Sequence, residues 1–331
     1  MAFKICVVGC GNISISQHAP AIVRYTELHK DAVFIACCDI EKERAAGYRD
    51  LFGLLRFYTN IDEMLDTEKP NAVSLTCSDN KTAELSCRIM ERGYPIILEK
   101  PPGLNSDETG YMIDVAKKSK VPNQVAFNRR YMPVVQKLME ILIELDATNE
   151  IMDINYRMLR VNRRDTGFAV TAIHGIDLVR YIAGADYKKV HFQYNELPQY
   201  GKSVANFHLD GIMSSGAMVH LDFLPMSSVV TERLEVNTHK GLFWLELPLW
   251  GGAYDMPGRI THLIDNEVVF TMSGEEAADS CDEFMINGFY HENKCFFDDI
   301  RNGIKPQGDI ASGLQAVEIA DCINDRRENY G

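Results

Sequence analysis

The sequence predicts an α/β chain of two domains, an N-terminal doubly wound parallel sheet followed by an α+β domain whose sheet is largely antiparallel. Three observations predict it. From residue 3 to about residue 128, short continuously apolar runs rich in β-branched residues alternate with helical patterns, as strands buried on both faces do. A glycine-rich turn follows the first run and opens the first helix. Beyond Tyr131–Glu144, which has apolar residues at helical spacing, the texture changes to many extended segments and few helices.

In order along the first domain, strands are expected at Lys4–Val8, Val33–Asp39, Arg56–Tyr58, Ala72–Cys77, Pro95–Glu99 and Gln124–Phe127. Helices are expected between them at Ser14–Leu28, Glu41–Phe52, Ile61–Asp66, Lys81–Arg92 and Asp107–Ser119, the repeated strand-helix order of a doubly wound fold. In the second half the expected strands are Ile151–Leu159, Lys189–Tyr194, Ser203–Leu209, Gly216–Leu221, Val229–Asn237, Leu242–Leu247, Arg259–Ile264 and Glu267–Met272. The Asp265-Asn266 pair between two apolar runs is a hairpin signal and favours antiparallel pairing there. The division falls at residues 1–128 and 129–331.

With 331 residues, 46% of them hydrophobic, the chain has material for two cores. A net charge of −13 excludes a nucleic-acid surface, which needs a basic face, and leaves small molecules as the expected partners. No segment approaches about 18 uninterrupted apolar residues and the opening MAFKICVVGCGNIS has no secretory pattern, so no membrane association is expected and the location is expected to be cytoplasmic. The nine cysteines are odd in number and lack paired C-x-x-C spacing, so neither disulfides nor a structural metal is expected.

Gly9-Cys10-Gly11-Asn12-Ile13-Ser14 has the context of a dinucleotide fingerprint. Gly9 permits the tight turn, and Gly11 lets a pyrophosphate approach the backbone at the positive end of a helix. Asp39, 25 residues past Ser14, ends the second strand where an acidic residue hydrogen-bonds ribose hydroxyls. A carboxylate there repels a 2′-phosphate and favours NAD over NADP.

Glu99-Lys100-Pro101-Pro102 puts a lysine at the carboxyl end of a buried strand, the edge where open α/β sheets bind ligands. Its ammonium can donate a proton to a substrate oxygen or stabilise negative charge there. Farther on, His174 and Asp177 lie three residues apart on one helix face, an arrangement open to acid/base work or to a structural pair. Arg157, on a strand of the second sheet, is a candidate for a substrate carboxylate or hydroxyl, as are Asp177 and Tyr290.

Together these residues resemble the Gfo/Idh/MocA oxidoreductase family, which contains glucose-fructose oxidoreductase and inositol dehydrogenase. The carriers are Gly9 to Ser14, Asp39, Ala83–Gly93 leading into Glu99-Lys100-Pro101, Phe127–Tyr131, His174–Asp177 and the tail Tyr290–Leu314. The resemblance implies a Rossmann domain followed by an open, largely antiparallel sheet used for homodimer or homotetramer contacts. It implies that Gly9, Gly11, Asn12, Ile13, Asp39, Cys77, Glu99 and Lys100 meet the cofactor. It also implies that Lys100 and His174 assist hydride transfer between nicotinamide and a carbon of a sugar or polyol. Two positions depart from the family pattern: Val170 stands where many members have aspartate, and Thr82 where a histidine is common. Two other readings follow from the same resemblance, a regulator that binds dinucleotide without turnover and a redox-neutral enzyme with tightly bound NAD.

Overall fold

The computed structural model describes residues 2–165, 168–249 and 257–331. Six strands make the first sheet: β1 (Phe3–Val8), β2 (Ala32–Cys38), β3 (Arg56–Tyr58), β4 (Ala72–Leu75), β5 (Ile96–Glu99) and β6 (Asn123–Ala126). Every pairing is parallel and the order is β3-β2-β1-β4-β5-β6, so the winding reverses between β1 and β4, where such sheets bind ligands. A π-helical turn at Ser14–His18 runs into α1 (Ala19–Leu28), followed by α2 (Lys42–Phe52), α3 (Ile61–Glu68), α4 (Asp79–Glu91) and α5 (Ser106–Ser119). Side chains start two of these helices: Asn60 accepts from the Asp62 amide and Asn105 from the Glu108 amide, each at 2.9 Å.

A 3₁₀ turn at Asn128–Tyr131 leads into α6 (Pro133–Glu144), β7 (Ile151–Val161) and α7 (Ala169–Ala183). Seven strands follow: β8 (Tyr187–Glu196), β9 (Ala205–Met213), β10 (Met218–Ser227), β11 (Thr231–Thr238), β12 (Gly241–Glu246), β13 (Arg259–Ile264) and β14 (Glu267–Ser273). The chain ends with α8 (Gly274–Ala278), α9 (Glu283–Ile286), α10 (Phe289–Asn302), α11 (Ile310–Asn324) and β15 (Asn329–Tyr330).

The second sheet has the order β14-β13-β12-β11-β7-β10-β9-β8-β15. Only β7 and β10 pair in parallel among the described residues; the rest is antiparallel, as expected. The Asp265-Asn266 turn joins β13 to β14 with both residues at positive φ (50° and 67°), the signature of a type I′ hairpin. Along β7, buried Ile154, Tyr156 and Met158 alternate with exposed Asn155 and Arg157, because α7 packs on one face of the sheet. Among the described residues no helix is long and apolar enough to cross a membrane.

The chain forms two compact units, Met1–Phe127 with Phe289–Leu314, and Asn128–Gly288 with Gln315–Gly331. The first break falls at 127/128, beside the expected division at 128/129, and α10 returns to the first unit. There its apolar side packs on β1 and α1, with the Phe297 ring 6.2 Å from Phe3 and 5.1 Å from Tyr25. An amphipathic period announces such a face but does not say which sheet receives it.

Candidate active site

In the first unit, a cavity of about 460 Å³ opens at the carboxyl ends of β1, β2 and β4. Gly9 turns the chain there at φ +93°, and a Cβ on it would stand 2.4 Å from the Thr76 carbonyl oxygen, so only glycine fits. Gly11 has no neighbouring atom within 4 Å of its Cβ direction, which leaves its backbone open to a ligand. Exposed Asn12 and half-buried Ile13 follow. Ser14 is buried and its hydroxyl shares a 2.8 Å hydrogen bond with the Tyr48 hydroxyl, which ties the π-helical turn to α2.

Asp39 lies in the same cavity, just past β2. Its Oδ2 accepts from the Cys10 amide and its Oδ1 from the Glu41 amide, both at 2.9 Å, with the Arg44 guanidinium 3.2 Å away. Arg44 Nη1 donates to Oδ1 and reaches Oδ2 at 3.5 Å. Cys77 lies at the rim with Sγ 3.7 Å from the Thr82 hydroxyl, and burial pushes its thiol up, so it is not a thiolate at neutral pH. The cavity, the open Gly11 backbone and a carboxylate at the end of β2 fit a dinucleotide. Gly9→Ala is expected to weaken NADH binding at least tenfold, because the strained turn and the clash cost about 1–3 kcal/mol; a fluorescence titration checks it.

At the end of β5 the sheet delivers Glu99 and Lys100 side by side. Glu99 Oε1 lies 2.9 Å from His18 Nε2, and the Lys100 amide donates to Oε2 at 3.2 Å. Asn293 on α10 donates through Nδ2 to His18 Nδ1 at 3.1 Å and to the Phe289 carbonyl at 2.8 Å. The carbonyl requires a donor, which fixes the amide orientation; His18 Nδ1 is then the acceptor and Nε2 carries the proton toward Glu99. Burial alone would raise the Glu99 carboxyl, but the His18 hydrogen bond and the neighbouring Lys100 hold it below the usual carboxylate range. His18 and Asn293 escaped sequence reasoning because they lie 275 residues apart and no spacing rule pairs them.

In the second unit α7 carries His174 and Asp177, both buried. Asp177 takes Arg130 in a bidentate ion pair, with Nε at 2.7 Å. The pair ties α7 to the Asn128–Tyr131 turn. Gly175 lets the helix lie close on β7, because a Cβ there would fall 2.2 Å from the Tyr156 ring. The Tyr156 hydroxyl donates to Glu232 at 2.5 Å, and Glu232 also receives Arg129 and Arg160. Despite full burial, which would raise it, the two guanidiniums lower the Glu232 carboxyl to about 2.

Arg157 alternates with Tyr156 and so points to the opposite face of the sheet from α7, where its Nε is 3.4 Å from Asp222. Arg157 therefore shares no face with His174. Tyr290 is buried in the first unit, in the field of Lys294, Arg24 and Asp298, and burial raises its hydroxyl.

Residues 3–127 match the oxidoreductase family with an NAD-binding Rossmann fold. A myo-inositol 2-dehydrogenase of Thermotoga maritima is 26% identical over 200 residues, 56% of this chain and 57% of that one. A D-glucoside 3-dehydrogenase of Escherichia coli is 26% identical over 138 residues, 41% of this chain and 38% of that one. The alignments with the first four curated relatives span 38% to 57% of those relatives' lengths. A Gfo/Idh/MocA family oxidoreductase of Vibrio cholerae superposes with a TM-score of 0.82 at 16% identity, covering 98% of both chains. That likeness extends the shared fold over both units. Residues 3–127 thus match that family's NAD-binding Rossmann domain, in line with the resemblance read from the sequence.

Proposed function

We propose that this protein is an NAD-dependent dehydrogenase acting at a hydroxyl-bearing carbon of a sugar or polyol, or at the corresponding carbonyl. The observation that carries the reading is Lys100 at the carboxyl end of β5, beside a Glu99 carboxylate that His18 and Asn293 hold in place. In this reading Gly9, Gly11, Asn12 and Ile13 hold the pyrophosphate, Asp39 takes ribose hydroxyls, and Cys77 and Glu99 border the nicotinamide side. Bound NAD supplies the hydride acceptor, and NADH the donor in reverse.

Lys100 handles the proton at the substrate oxygen, accepting it during oxidation and returning it during reduction. Glu99 supplies a fixed negative charge next to the lysine. His174 serves as the second proton-handling group, and the Arg130–Asp177 pair positions its helix. The substrate class follows the inositol and glucoside relatives.

Asp39 supports NAD over NADP, and its contact with Arg44 offsets the nearest cation in the cavity. A homodimer or homotetramer formed through the second sheet belongs to the same reading, supported by exposed Ile212, Met218 and Trp244 on its strands. So does a cytoplasmic location, with which nine unbridged cysteines agree.

Titration of the purified protein with NADH and NADPH, followed at saturation by sugars, inositols and hydroxy acids, tests the reading. Tighter NADH binding with turnover of a ring polyol or sugar is the expected result. Tight NADH binding with no change in nicotinamide absorbance points instead to a dinucleotide-dependent regulator, or to a redox-neutral enzyme if substrate still disappears. Val170 is the residue that favours these. Binding of neither nucleotide overturns the proposal.

A further inference from the structure

The face of the second sheet that turns away from α7 carries a group of side chains unrelated to hydride transfer. On β10, His220 and Asp222 flank buried Leu221 and therefore share a face. On β9, His208 sits directly across from Asp222, and Asp210 directly across from His220. His208 Nδ1 contacts Asp222 Oδ1, and His220 Nε2 lies 3.0 Å from that same oxygen. One donor atom from each of His208, His220 and Asp222 falls within 4.8 Å of the others. The second nitrogen of His220, Nδ1, is 2.7 Å from Asp210 Oδ1.

We propose that His208, His220 and Asp222 form a binding site for one divalent transition-metal ion of the zinc class. Two imidazole nitrogens and a carboxylate are the donors such ions prefer, and three protein ligands leave a fourth position for water. Bonds of about 2.0–2.2 Å place tetrahedral donor atoms about 3.4 Å apart, so small side-chain rotations suffice. Asp210 then acts from outside the ligand set, fixing the ring orientation of His220 through Nδ1–H, as carboxylates behind metal-bound histidines do. Arg157 holds the other oxygen of Asp222, at 3.4 Å.

Without a metal the same geometry strains the proton count. His220 faces a carboxylate with each nitrogen, so donating to both takes a proton on each. A divalent ion replaces the proton on Nε2 and leaves the Asp210 hydrogen bond intact. The sequence expectation of no metal rested on cysteine spacing. The relevant pattern here is H-x-D on one strand with a histidine opposite on its neighbour, which only the strand register reveals.

The test is calorimetric titration of EDTA-stripped full-length protein with Zn²⁺, alongside Co²⁺ as a visible-absorption probe of coordination. Saturable binding of one Zn²⁺ per chain, a tetrahedral Co²⁺ spectrum and an EDTA-reversible rise in Tm are expected. Asp222→Asn and His220→Ala should each weaken Zn²⁺ by about 100-fold and Asp210→Asn by about tenfold, with NADH binding retained as the check of folding. His239→Ala, on an exposed histidine between β11 and β12, should change nothing. Absence of saturable binding, an octahedral Co²⁺ spectrum, or equal affinity in wild type and Asp222→Asn overturns the proposal. None of these readouts depends on dehydrogenase activity.

Discussion

Lys100→Ala is expected to lower turnover by about 100-fold or more while NADH affinity stays within about twofold of wild type. Positioned acid/base groups typically contribute 10²–10⁴ to rate, and a group that acts only on the transferring proton leaves cofactor binding untouched. The structure gives this expectation its footing. The lysine follows a strand whose Ile96, Ile97 and Leu98 are buried, and its neighbour Glu99 is anchored through His18 to Asn293. Steady-state kinetics with the best substrate of the panel, combined with NADH titration, decides the point. A change in turnover below about threefold removes Lys100 from the chemistry.

The second large effect is on stability. Glu232→Gln leaves Arg129 and Arg160 facing an amide inside the sheet, and breaking a buried ion pair this way costs about 3–5 kcal/mol. Both tryptophans, Trp244 and Trp250, fall in the second unit's stretch of sequence, so their fluorescence during urea unfolding reports on it. The pH dependence gives a sharper check. The Glu232 carboxyl is lowered in the folded protein, so its contribution is complete above the ordinary value of 4.5 and fades as pH falls toward about 2. A lowering of that size corresponds to roughly 3 kcal/mol. The stability gap between wild type and Glu232→Gln should therefore narrow between pH 5 and pH 2.5. A gap of constant size over that range contradicts the buried-pair account.

The strands and helices of the first sheet and the eight long strands of the second were legible because the apolar period changes from continuous runs to alternation where sheet burial changes from two faces to one, whereas the elements from α8 to β15 were not. Gly9 and Asp39 were legible because a tight turn and an acidic strand end have local signatures. Arg157 shows where such reading stops: period two assigns it a face but not which face a helix covers, and α7 covers the other one. Asp177 was correctly placed beside His174 in helical spacing, yet its partner Arg130 lies 47 residues back and no spacing rule points there. Glu232 was not singled out at all, since a lone glutamate in a strand reads as solvent-facing until Arg129, Arg160 and Tyr156 converge on it.

The return of α10 to the first unit bears on the order in which this protein is made. A nascent chain that has left the ribosome through Phe127 holds all six strands of the first sheet but lacks the helix that covers Phe3 and Tyr25 and that brings Asn293 to His18. The whole stretch from Asn128 to Gly288 must be translated first. At about 5–20 residues per second, the nucleotide-binding half waits on the order of ten seconds with an apolar flank uncovered. Translation speed through the second unit thus sets how long that flank stays uncovered.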